Sequence, residues 1–259
     1  MTEESSAIRF GTDGWRGVIA RDFTFANVRR CAQAVSDLLY SEGLASRGLV
    51  VGYDTRFASE EFANEVTRVI SAQGIKTYLC DRSTPTPAVS YGVLQLGAGA
   101  GVIITASHNA PSWNGFKYKP EYAGSASPEI VARLESFIAN IGVEQEIETL
   151  SLDTARSKGL LTAFNPTEGY LEKLGSLVDL DLIRNAGLRI VVDSMHGSGA
   201  TFLAKLLEGG RTTVTELRGD ANPRFPGMDQ PEPILTNLRS TSRTMREHGF
   251  NVGFATDGD

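Results

Sequence analysis

Nothing in this chain resembles a membrane span: no apolar run approaches the ~20 residues that a bilayer-crossing helix needs. The opening residues, Met1-Thr2-Glu3-Glu4-Ser5-Ser6, are polar and acidic and lack the basic-then-apolar layout of a secretory leader. A cytoplasmic protein without a membrane partner is the expectation. Cysteine is scarce. Two residues, Cys31 and Cys80, are too few for a disulfide framework, and both fall in segments that read as regular structure, which predicts buried reduced thiols. Basic charge is in deficit, with 25 Lys and Arg against 31 Asp and Glu and a net charge of −6. That excludes the basic face of a general nucleic-acid binder. A Gly-x-Ser-x-Gly elbow is also missing around Ser107, which removes the usual mount of a serine hydrolase.

What remains is an ordinary globular composition, 41% hydrophobic and 22% charged, on 259 residues, enough for one large or two modest domains. Short apolar runs alternate with amphipathic stretches. Helices are predicted over residues 24–42, 59–72, 128–141, 166–178, 200–207 and 234–248, with another opened by Thr84-Pro85-Thr86-Pro87. Strands are predicted at 8–10, 49–54, 77–80, 102–105, 116–119, 188–193, 213–217 and 252–255. The polar, mixed stretch 142–165 reads as a boundary, after which the pattern begins again. The fold class is therefore α/β: two consecutive α/β domains, at 1–150 and 160–259, each a mostly parallel mixed sheet sandwiched by helices.

Several strand ends carry polar clusters, and loops at the carboxyl ends of parallel strands are where open α/β sheets place their chemistry. The run Gly101-Val102-Ile103-Ile104-Thr105 leads straight into Ala106-Ser107-His108-Asn109. Serine needs an activator or a metal to act as a nucleophile. His108 is either a catalytic partner or structural, and Lys117 either holds a phosphoryl group or is a solvated lysine at a strand end. Gly11-Thr12-Asp13-Gly14-Trp15-Arg16-Gly17 is either an anion site, with glycine N–H groups and Arg16 gripping a phosphate, or a glycine-rich turn. His196-Gly197-Ser198-Gly199 is a further turn. Asp257-Gly258-Asp259 after the last strand suits a hard divalent cation such as Mg²⁺, or is an ordinary Asp-Gly turn. In combination these features favour phosphoryl transfer, where catalysis is mostly positioning and charge neutralisation.

Thr105-Ala106-Ser107-His108-Asn109, followed by Asn114-Gly115-Phe116-Lys117, resembles the phosphoserine loop of the α-D-phosphohexomutase family. Phe10 to Gly17 is similar to the family's N-terminal signature, Asn222-Pro223-Arg224-Phe225-Pro226-Gly227 to a later segment, and Asp257-Gly258-Asp259 to the start of its metal loop. The resemblance implies a phosphoglucomutase or phosphomannomutase that moves phosphate between O1 and O6 of a hexose through a hexose 1,6-bisphosphate. Ser107 would carry the phosphoryl group, Mg²⁺ would lie between Ser107 and Asp257 and Asp259, and Arg16 and Lys117 would stabilise the transferring group, with Lys117 or His108 handling the proton. Two departures stand out. Ala110 occupies the position where the family usually has proline, with Pro111 next; and the third aspartate and the arginine of the metal loop do not follow Asp259. The expectation is an N-terminal half, without the sugar-recognition and distal phosphate domains, inactive by itself. The other function considered is a non-catalytic sugar-phosphate or protein-binding module. Threonine at 105 leans, by family pattern, towards glucose or mannose substrates.

Overall fold

The computed structural model describes residues 8–11, 13–143 and 145–259. The leading Met1–Ser6 stretch and Thr12 of the N-terminal signature lie outside the described residues. In chain order the elements are β1 (Trp15–Val18), α1 (Phe25–Ser41), β2 (Leu49–Tyr53), α2 (Ser59–Ala72), β3 (Thr77–Cys80), α3 (Thr86–Leu96), β4 (Ala100–Ile104), β5 (Trp113–Pro120), α4 (Pro128–Asn140), α5 (Leu152–Ser157) and β6 (Leu161–Phe164). They continue with α6 (Thr167–Gly175), α7 (Leu180–Asn185), β7 (Arg189–Asp193), α8 (Phe202–Leu206), β8 (Thr213–Leu217), α9 (Leu235–His248) and β9 (Val252–Ala255). Two compact units result. The first holds the described residues of 8–53, 58–106 and 112–166; the second holds 167–259 together with two short segments, 54–57 and 107–111.

The first unit is built on a six-stranded sheet in the order β1-β5-β4-β2-β3-β6. The strands β4, β2, β3 and β6 run parallel, while β5 runs antiparallel between β4 and the edge strand β1. Alternation along the central strands explains the layers. Leu49, Val51, Tyr53, Ala100, Val102 and Ile104 face one core with Val35, Leu38, Val66, Ile70 and Leu134 from α1, α2 and α4. Val50 and Ile103 face the other way, onto Val89 and Val93 of α3. A strand buried on both faces reads as a continuous apolar run, which is why β2 and β4 were legible in the sequence. The helix starts follow their capping chemistry: Thr24 accepts a hydrogen bond from the Asn27 N–H, and Ser127 from that of Ile130. Cys31 and Cys80 are buried free thiols; desolvation raises both, Cys80 to about 12.

The structure departs from the sequence expectations at four places. Residues 8–10 form no strand, because the Phe10 N–H is met by Glu135 Oε1 of α4 at 2.6 Å rather than by a neighbouring strand. The glycine-rich 11–17 segment is not all loop: Trp15–Val18 is strand β1, with Arg16 opposite Gly115. The polar stretch 142–165 supplies α5 and then β6, which pairs parallel with β3 at the sheet edge, so the first sheet extends to Phe164. Helices expected over 166–178 and 200–207 are the shorter α6 and α8, and α7 lies between them.

Gly115 shows how tightly β5 is held. A Cβ there would sit on the Thr105 carbonyl oxygen and 2.9 Å from that of Trp15. Gly115→Ala is expected to destabilise the first unit by about 1–3 kcal/mol, as overpacking does; urea denaturation monitored by tryptophan fluorescence measures it.

The second unit carries a parallel three-stranded sheet, β8-β7-β9. Ile190, Val191 and Val192 of β7 are buried, and Met195, Phe225 and Met228 form a small core cluster backed by Leu238 and Ala255. No described helix is long and apolar enough to cross a membrane.

Candidate functional site

The second unit gathers its functional side chains at the carboxyl ends of its strands. Strand β7 ends in Asp193, whose buried carboxylate is fixed by Arg218 and Thr241 and also accepts the Met195 N–H at 3.2 Å. That anchoring bends the chain sharply. Met195 and His196 take left-handed backbone angles, φ +45° and +60°. The turn so formed lies against the end of β9. The Ser198 N–H donates to the Gly258 carbonyl at 3.2 Å, and a Cβ on Gly197 would come 2.5 Å from the Asp257 carbonyl oxygen. His196 Nδ1 lies 3.2 Å from Asp220 Oδ1, and its carbonyl accepts from Thr55 Oγ1 at 2.9 Å. The turn at 194–199 is thus the mount of the Asp257-Gly258-Asp259 loop.

Ser107 meets that loop. Its Oγ donates to Asp257 Oδ2 at 2.7 Å, although the two residues are 150 positions apart. Ser107 is buried and also left-handed, φ +53°, an arrangement a non-glycine residue keeps only when its surroundings enforce it. Gly258 packs behind it, since a Cβ there would lie 2.7 Å from the Ser107 carbonyl oxygen. His108, Asp257 and Asp259 are half-buried.

The enforcing residue is one the sequence reading passed over. Arg56 donates through Nη2 to the carbonyls of Ser107 and Asn109, each at 2.6 Å, and through Nη1 to that of Ala110 at 2.9 Å. On its other side Nε lies 3.2 Å from Asp54 Oδ2, with both side chains fully buried, and Asp54 Oδ1 accepts the Arg56 N–H at 2.9 Å. The guanidinium carbon lies 5.2 Å from the centre of the Phe225 ring. Phe225 is itself left-handed, φ +44°, and gives the Asn222–Gly227 segment its part in the site. The available signal was Asp54-Thr55-Arg56 directly after the buried strand β2. Removing one member of this buried pair would strand the other's charge, a loss on the order of 3–5 kcal/mol.

Lys117 and Arg16 belong to the first unit. Lys117 is not a solvated strand-end lysine: it lies within β5, is 4% exposed, and its Nζ pairs with Asp13 Oδ2 at 2.8 Å. Lys119 takes the other oxygen of Asp13 at 2.9 Å. Burial works to raise the Asp13 carboxyl, but the two ammonium groups outweigh it and hold it below the usual carboxylate range. A depressed folded-state value contributes stability above the unfolded value and loses it as pH falls through the folded one. Asp13→Asn is therefore expected to flatten the acid limb of the stability–pH curve below about pH 4, measured by urea midpoints across an acid series. Arg16 is half-buried on β1.

Ser107 Oγ lies 2.7 Å from one carboxylate of the Asp257-Gly258-Asp259 loop, and hydroxyl and carboxylate oxygens are hard donors of the kind that Mg²⁺ takes. Among the described residues no group of three or more His, Cys, Asp or Glu side chains converges as a metal site.

Two sequence profiles match the chain. That of phosphoglucomutase/phosphomannomutase alpha/beta/alpha domain I covers residues 7–145, and that of domain II covers residues 168–259. A phosphoglucomutase of Komagataeibacter xylinus is 28% identical over 97% of this chain and 48% of its own length. A protein of Methanothermobacter thermautotrophicus assigned as a phosphoglucosamine mutase is 30% identical, over 96% of this chain and 52% of its own. The crystal structure of a Thermus thermophilus protein assigned as a phosphomannomutase superposes with a TM-score of 0.86 at 34% identity, covering 98% of this chain and 55% of that one. The chain spans about half the length of the relatives it matches.

Proposed function

Because this chain belongs to the phosphoglucomutase/phosphomannomutase family, matching its domains I and II, we propose that Ser107 is the phosphoryl carrier of a hexose phosphomutase. One observation carries the reading: a buried, left-handed serine whose Oγ is held 2.7 Å from a carboxylate at the end of a parallel strand. A hydroxyl hydrogen-bonded to a carboxylate is a modest arrangement until a phosphoryl group is placed on it. Phosphoserine carries close to two negative charges near neutral pH. Beside Asp257 and Asp259 it would be strongly repelled unless a cation intervened. Asp257, Asp259 and the oxygen of Ser107 would hold Mg²⁺, which when bound supplies that neutralisation.

In the transfer step the Oγ–P bond of phosphoserine breaks as a P–O bond forms to a hydroxyl of a bound hexose monophosphate. The proton leaving that hydroxyl goes to a base, for which His108 and Lys117 are the candidates. The departing Oγ takes up a proton in exchange, from that base or from solvent, which leaves Ser107 as the free hydroxyl and the sugar as a 1,6-bisphosphate, whose other phosphate then returns to Ser107. Arg16 stabilises the transferring group by charge, and so does Lys117 where His108 is the base. Glucose and mannose monophosphates are the substrates proposed, and the cytoplasm, where such sugar phosphates are held, is the proposed location.

The chain's span of about half its relatives supports a further clause: residues 1–259 take phosphate onto Ser107 but do not sustain interconversion. Incubation with glucose 1,6-bisphosphate tests both statements. One phosphoryl per chain is expected, with release of a glucose monophosphate and no continuing exchange of glucose 1-phosphate for glucose 6-phosphate. Binding of the bisphosphate without any transfer would instead make the chain a sugar-phosphate-binding module.

A further inference from the structure

Arg56 is a fully buried charge to which the phosphoryl-carrier reading gives no task. We propose that it is a positioning residue for phosphoryl transfer, acting by fixing the peptide planes of the loop 107–111; the proposal rests on the reading of Ser107 as the carrier. The guanidinium is a rigid planar fork, and its own orientation is over-determined: Asp54 holds it on one edge and Phe225 lies against it. Its two terminal nitrogens then gather three carbonyls of one short loop, those of Ser107, Asn109 and Ala110. A trans peptide points its C=O and N–H in opposite directions, and no described peptide bond is cis. Drawing the Ser107 and Asn109 carbonyls onto the guanidinium therefore turns the N–H groups of His108 and Ala110 away from it. Neither N–H donates to another described backbone group. The same three bonds keep Ser107 at φ +53°, with Gly258 too close behind it to let the carbonyl swing back.

The charge of Arg56 is matched by Asp54, so the residue works through geometry rather than through an added field. That distinguishes it from a phosphate-binding arginine. Its loss should lower the maximal rate of phosphoryl uptake and leave the donor concentration at half-saturation unchanged.

The test compares wild type with Arg56→Lys, which keeps the charge but cannot hold three carbonyls, and with the double variant Asp54→Asn/Arg56→Gln, which removes both charges together and so strands neither. Two quantities are read: the rate of phosphoryl uptake from glucose 1,6-bisphosphate across donor concentrations, and hydrogen exchange in the peptide covering residues 105–112. Both variants are expected to lose about 10²-fold in maximal rate, the scale of a misplaced reacting group, at unchanged half-saturation, and to exchange faster in that peptide. Wild-type rate and exchange in either folded variant would overturn the proposal. So would a raised half-saturation with the maximal rate intact, which would make Arg56 a donor-binding residue. If wild type itself takes up no phosphate, the carrier reading fails and the catalytic part of the proposal falls with it. Unchanged exchange in the variants would then remove the loop-fixing part as well, whereas faster exchange would uphold it.

Discussion

Ser107→Ala is expected to eliminate phosphoryl uptake altogether while leaving the fold in place. The substitution deletes the oxygen that the proposed reaction phosphorylates, so no conservative route remains. The stability cost is bounded by what Ser107 contributes to packing. It forfeits one hydrogen bond to a charged acceptor, Asp257 at 2.7 Å, worth about 1.5–3 kcal/mol. The Arg56 bonds reach the loop through carbonyls and survive the change. A circular-dichroism melt beside the uptake assay separates the two effects. A near-native melt with no uptake is the expected pair of results, and uptake at the wild-type rate would remove Ser107 from the chemistry.

Asp257→Asn has the next largest expected effect, and it isolates charge from shape. The amide oxygen can still accept the Ser107 hydrogen bond, so the loop keeps its form. What disappears is one of the two carboxylates proposed to hold Mg²⁺ against the phosphoserine. Uptake is expected to fall on the order of 10²–10³-fold, the usual consequence of losing one preorganised electrostatic partner, and to need far more Mg²⁺ to reach half its maximum. The check is the uptake rate as a function of Mg²⁺ concentration for both proteins. An unchanged Mg²⁺ midpoint in Asp257→Asn would take that residue out of the metal site.

These two residues were legible in the sequence for a definite reason. Each follows a short apolar run that reads as a strand, buried in β4 and half-buried in β9, and each sits in a glycine- or asparagine-containing turn where a strand must end. The same logic located β2, β4, β7 and α1, whose burial pattern is written in their periodicity. Arg56 was not legible because its work is done through backbone carbonyls; Asn109 and Ala110 carry no side-chain signature of being held. Edge elements escaped for a related cause. Strand β6 has only Leu161 and Phe164 turned inward and two exposed residues between them, which in a polar surrounding reads as linker. Strand β1 was hidden in a glycine-rich segment, where Gly14 takes φ +100° and Gly17 sits against Asp22. Lys117 falls within the strand predicted at 116–119, but its burial against Asp13 depends on a residue far away in the chain that no local pattern announces.

The central claim is that this chain carries phosphate on Ser107, and intact-mass measurement with peptide mapping, before and after exposure to glucose 1,6-bisphosphate and Mg²⁺, tests it most directly. A single addition of about 80 Da, located at Ser107 and absent from Ser107→Ala, is the predicted result. No added mass, or an addition that maps elsewhere and persists in Ser107→Ala, would contradict it.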